Sequence, residues 1–161
     1  MKMVGSIKCT MGMRVIIQIE AAGFLGQIGG REVDGVGQYT GNTVSYLDSV
    51  TIGSRYTVRG FDGETLLAGS RGFYWRNELQ VPVAQTGLSA YAGLDYGRVW
   101  GPEPVALVGT QLAGAVIGVK GSVMTRFGGY GYDLFAGTPV YKPSGFPTAR
   151  VTVGFQLTAQ F

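Results

Sequence analysis

The last eleven residues of the chain alternate without a break. Val151, Val153, Phe155, Leu157, Ala159 and Phe161 are apolar, whereas Thr152, Gly154, Gln156, Thr158 and Gln160 between them are not. Successive side chains of a strand point to opposite faces, so this run is a β-strand with one apolar and one polar face. A helix would scatter the same residues around its circumference. A lone strand leaves its backbone N–H and C=O groups unpaired, so the rest of the chain must supply neighbours.

It does so in segments of similar length. Phe73, Trp75, Leu79, Val81 and Val83 alternate with Tyr74, Arg76, Glu78 and Gln80, and Asn77 is the misfit on the apolar side. After a turn at 84–87, Leu88, Ala90, Ala92, Leu94 and Tyr96 oppose Ser89, Tyr91, Gly93, Asp95 and Gly97. Val108 to Lys120 is a weaker strand, apolar on both faces and rich in small residues, with a turn expected at Gly121-Ser122. About Tyr130 to Val140 returns, with Asp133 alone among apolar neighbours. The fold class is therefore all-β and antiparallel.

Alternation alone admits two architectures. A soluble β-barrel turns its apolar face inward, around a core or a small apolar ligand; a membrane barrel turns it outward to lipid. The segments exceed the usual strand of about five or six residues and suit a tilted bilayer crossing. Short and long connections alternate along the chain, as they do in outer-membrane barrels. Phe161 ends the chain in register with the apolar face, where an aromatic girdle would lie.

Composition narrows the function. With no His and one Cys, serine triads, His ligation and Cys-based zinc sites are unavailable, so neither an enzyme nor a cofactor is expected. The formal net charge of +3 is spread along the chain without a basic stripe, so no nucleic-acid partner is expected. No segment reaches the roughly 18 apolar residues of a membrane helix. Lys2 and Lys8 before Met11–Ile17 imitate a signal peptide, but Arg14 interrupts the apolar stretch.

Residues 1–37 show no clean period and are set apart as a poorly specified segment, foreign to the remainder of the chain; the patterned part runs from 38 to 161. Within it, Gly41-Asn42 marks a turn, and Val44, Tyr46, Val50 and Ile52 are strand formers. A Gly-rich, charged loop then runs to about Gly72, with Val58-Arg59-Gly60-Phe61-Asp62-Gly63-Glu64 at its centre.

Several motifs go beyond periodicity. Tyr46-Leu47-Asp48, Ile52-Gly53-Ser54-Arg55-Tyr56, the loop motif, Arg71 to Leu79, Gly93-Leu94-Asp95-Tyr96-Gly97, Tyr132 to Pro139 and the terminal Phe161 occur in one order. In that order they resemble the C-terminal part of two-partner secretion transporters of the haemolysin secretion/activation type. The resemblance implies a bacterial outer-membrane β-barrel of sixteen strands that exports and activates a β-helical haemolysin or adhesin. The alternatives are a porin or other outer-membrane barrel, or the soluble barrel above.

The resemblance also implies that the loop folds into the barrel, with Val58, Arg59, Gly60 and Phe61 at its tip. Its arginine would meet a carboxylate on an inward strand face, Asp95 within the Gly93, Asp95, Gly97 motif, with Glu78 on the same side. It casts Phe161 as a signal to the outer-membrane assembly machinery and lipid as the surrounding partner. The last five or six strands of a sixteen-stranded barrel cannot close one, so the expectation is a truncated copy, inactive alone.

Overall fold

The computed structural model describes residues 2–10, 14–24, 30–40, 48–83, 87–101, 108–126 and 128–160. These residues include ten strands: β1 (Lys2–Thr10), β2 (Arg14–Phe24), β3 (Gly30–Thr40), β4 (Val50–Ile52), β5 (Leu67–Gly69), β6 (Arg71–Val83), β7 (Leu88–Trp100), β8 (Gln111–Thr125), β9 (Gly128–Tyr141) and β10 (Thr152–Gln160). No α-helix occurs among the described residues. Eight of the strands form one antiparallel sheet in the order β1-β2-β3-β6-β7-β8-β9-β10, and β4 and β5 pair as a separate hairpin.

The five strands after the loop follow the alternation in the sequence. Along β7 the buried residues are Tyr91, Gly93, Asp95, Gly97 and Val99, while Ala92, Leu94 and Arg98 are exposed. Leu94, Ile117, Leu134 and Phe155 are each more than half exposed, so the apolar side is the open side of the sheet. A soluble barrel would bury these residues; a membrane barrel presents them to lipid.

The other face is covered by the chain between β3 and β6. Val50, Ile52, Val58, Phe61 and Leu67 from this loop pack with Val99 of β7, Leu112 of β8 and Phe146 of the connection between β9 and β10. The Phe61 and Phe146 rings meet edge to face with centroids 5.8 Å apart. The loop thus carries its own small core and lays it on the sheet. This explains why β8 lacks a polar side. On that face Leu112 is buried in the loop's core, Gly114 under the Arg59 backbone and Val116 against Tyr91 and Phe135, so none of the three meets water.

Two expectations change. The turn anticipated at Gly121-Ser122 is strand: β8 runs on to Thr125, and Gly121 and Ser122 pair with Tyr132 and Gly131. The glycine serves packing there, since a Cβ on Gly121 would lie 2.6 Å from the Tyr132 hydroxyl. Residues 1–37, without a clean period, carry β1, β2 and most of β3, all in the main sheet. In β3 the open-face positions include Arg31, Gly35 and Gly37, which erase the apolar alternation. Gly41-Asn42, Val44, Tyr46 and Phe161 lie outside the described residues.

Candidate functional site: a double carboxylate clamp on the loop arginine

Arg59 lies where two rows of the sheet meet. Register places Glu78 beside Gly93, Val116 and Gly137 in one row, and Arg76 beside Asp95 and Gly114 in the next. A strand's period of two puts Glu78 and Asp95 on the same face, under the loop.

The guanidinium grips both carboxylates. Nε donates to Asp95 Oδ2 at 2.7 Å and Nη2 to Asp95 Oδ1 at 2.9 Å, a bidentate pair. Nη1 donates to Glu78 Oε2 at 2.6 Å, and the Arg59 backbone N–H adds a bond to Asp95 Oδ2 at 3.0 Å. Arg59 and Asp95 are both buried, at 6% and 3% exposure, so water does not compete strongly for the pair. Removing one partner of such a buried pair typically costs about 3–5 kcal/mol, because the other charge is left without compensation.

Glu78 has a second cation. Lys120 Nζ of β8 reaches Glu78 Oε1 at 2.6 Å, two strands away, passing over the Tyr91 ring at 5.4 Å from its centroid. Gln80 also donates to Glu78 Oε1, at 3.0 Å. Lys120 also lies 3.7 Å from Glu32 Oε2, so Arg59 and Lys120 link three carboxylates, with Asp95 and Glu78 on the buried side and Glu32 at the exposed edge. Nearby, the Tyr91 hydroxyl donates to Asp133 Oδ1 at 2.8 Å, which gives the lone acid of β9 a partner.

The backbone approaches the wall as closely as the side chains do. A Cβ on Gly93 would lie 2.6 Å from Arg59 Nη2, and one on Gly97 would lie 2.8 Å from Val58 Cγ2. Gly60 has φ +100°, a left-handed conformation, and a Cβ there would sit 2.5 Å from the Thr138 carbonyl oxygen. On the facing side a Cβ on Gly137 would lie 2.8 Å from the Gly60 Cα, and one on Gly114 would collide with the Arg59 carbonyl oxygen.

Asp62 ties the tip to the connection between β9 and β10. Its Oδ2 accepts from the Ala149 N–H at 2.6 Å, and its Oδ1 from the Glu64 N–H at 3.2 Å. These donors, Ala149 first, hold the Asp62 carboxyl below its ordinary value against the opposing effect of its partial burial.

The sequence motifs Val58 to Phe61 and Gly93 to Gly97 thus meet in space, with Glu78 beside them. Sequence reasoning missed Gly114, Gly137, Lys120, Phe146 and Asp62 as parts of the site. The small residues of β8 were the available signal for Gly114, since a strand with no polar face must be packed on both. Among the described residues no group of His, Cys, Asp and Glu could hold a metal ion.

An apolar face open to the outside and a charged loop clamped to the inside define a wall segment of an outer-membrane β-barrel. The relatives agree. The family model described as haemolysin secretion/activation protein ShlB/FhaC/HecB matches residues 32–121, and the chain belongs to that family. It is similar to the outer membrane transporter CdiB-2 of Burkholderia pseudomallei (strain 1026b), 99% identical over 125 residues, or 78% of this chain and 21% of that protein. It is also similar to the outer membrane transporter CdiB of Dickeya dadantii (strain 3937), 29% identical over 130 residues, 78% of this chain and 22% of that one.

Two solved structures share the fold. CdiB from Acinetobacter baumannii aligns with TM-score 0.75 at 24% identity, over 91% of this chain and 27% of that one. CdiB from Escherichia coli aligns with TM-score 0.76 at 18% identity, over 89% and 27%. The chain thus spans about a fifth of the length of these curated relatives. Its strands belong to a barrel in the bacterial outer membrane.

Proposed function

We propose that this segment supplies part of the pore wall and the pore-filling loop of a two-partner secretion transporter, which exports and activates a haemolysin- or adhesin-type partner. The grip of Arg59 on both Asp95 and Glu78 carries the reading. A loop held by one buried cation across two strands has a defined seat and a defined way of leaving it. Passage of a polypeptide requires the loop to give up that seat, so the clamp sets how readily the pore opens. The family is one of transporters; we assign the carboxylates to anchoring and no residue to catalysis. Phe161 is assigned, on the resemblance, to recognition by the outer-membrane assembly machinery.

The test uses a full-length transporter carrying this segment, with secretion of its partner as the readout. Arg59→Asp and Asp95→Arg are each expected to impair secretion, and the double exchange to recover part of the loss. Recovery requires the two residues to act on each other, so a double variant no better than either single one would remove the clamp from the mechanism.

A further inference from the structure

Two arginines on the open face take no part in the clamp. Arg71 begins β6 opposite Trp100, and Arg98 of β7 stands opposite Phe73, so the two are diagonal neighbours on one face, roughly 7–8 Å apart at the backbone. Each lies against an aromatic ring: the Arg71 guanidinium is 4.8 Å from the Tyr39 centroid and that of Arg98 is 5.8 Å from the Trp100 centroid. Arg71 Nε donates to the Thr40 carbonyl at 2.6 Å, which holds the side chain across the strand ends. Neither arginine forms an ion pair with a carboxylate among the described residues.

Their level on the barrel decides what they meet. Both lie next to the long connections 41–70 and 101–110, and in barrels of this class the long connections face the cell exterior. Toward the other end of the same face come Trp75, Leu94, Leu79 and Val81, an apolar band exposed to lipid. The arginines therefore mark the upper limit of that band, where acyl chains give way to headgroups. A planar guanidinium already laid on a ring loses little freedom on binding a phosphate, and on Arg71 the Nη donors remain beside the Nε that Thr40 takes. Two of them side by side present a fixed pair of forks to an anion.

We propose that Arg71 and Arg98 form a binding site for the phosphorylated headgroup of an outer-leaflet lipid. The site rests on the membrane placement of the barrel and not on the secretion reading.

The experiment is lipid retention by a full-length transporter carrying this segment, reconstituted with a phosphorylated outer-leaflet glycolipid or its dephosphorylated form and read by native mass spectrometry. The unaltered protein is expected to retain the phosphorylated form several-fold better. Arg71→Gln with Arg98→Gln should abolish that preference, and Arg98→Lys alone should weaken it, because an ammonium offers neither the fork nor the plane that lies on Trp100. Equal retention of the two lipids by the unaltered protein overturns the site, and that comparison stands even if the double variant fails to insert. A folded double variant that keeps the preference overturns it too.

Discussion

The backbone of Arg59 occupies the space that a side chain on Gly114 would need. A Cβ at that position would fall on the Arg59 carbonyl oxygen, while the guanidinium of the same arginine is fixed by Asp95 and Glu78 on the neighbouring strands. The seat of the loop is thus defined by a void in β8 as much as by charges on β6 and β7.

Gly114→Ala is accordingly expected to unseat the loop without altering any charge. In a full-length transporter it should raise susceptibility of the loop to added protease to the level of Arg59→Ala. The folded barrel should retain its heat-dependent shift in gel migration. A loop as protected as in the unaltered protein would show that the void is not required.

Asp95 and Glu78 should differ in weight. Asp95 takes two guanidinium bonds and the Arg59 backbone N–H, whereas Glu78 takes one guanidinium bond and shares its charge with Lys120. Asp95→Asn is expected to cost about 3–5 kcal/mol of loop closure and Glu78→Gln less. Channel conductance in planar bilayers orders the two; a larger opening in Glu78→Gln would reverse the assignment.

Lys120→Met leaves Arg59 as the one close cation for both carboxylates, because Lys120 supplies the second positive charge at Glu78. Glu78 keeps its Arg59 bond in that variant, so the losses of Lys120→Met and Glu78→Gln should be sub-additive, since both remove the one Lys120–Glu78 pair. Strictly additive losses in a double-mutant cycle would mean that the two residues act separately.

Phe61→Ala and Phe146→Ala each remove one half of an edge-to-face pair in the core of the loop. Large-to-small changes of this kind cost about 3–5 kcal/mol, and the two should be sub-additive because both empty one cavity. Denaturant-dependent proteolysis of the loop measures the sum. Full additivity would indicate that the rings are energetically independent.

The link from Asp62 to Ala149 should depend on pH in one direction. The Asp62 carboxyl is held below its ordinary value by the Ala149 N–H, so its contribution is present above the unfolded value and is lost as pH falls through the folded one. Acidification below the usual carboxylate range should therefore loosen the tip against the connection between β9 and β10. Asp62→Asn should remove that dependence as read by protease accessibility; an unchanged acid transition in the variant would assign it to another group.

The sequence by itself determined that five strands follow the loop and, in β6, β7 and β10, the side each residue takes. Their alternation is a local property, and lipid on one side enforces it. It also placed Glu78 and Asp95 on the polar side, where Arg59 finds them, and the motifs identified the family. Of the three earlier strands, β3 was illegible because Arg31, Gly35 and Gly37 stand on its open face, where apolar residues would have marked the period.

Only the tertiary structure decided which glycines were voids and which were turns. Gly121, expected in a turn, is a strand position cleared for Tyr132; Gly114, one of the small residues of β8, is the recess for Arg59. The same holds for Lys120 and Phe146, ordinary surface and loop residues until the chain brings Glu78 and Phe61 to them. The physical reason is range. Alternation is written between neighbours two residues apart, whereas a void or a counter-charge is specified by segments tens of residues away.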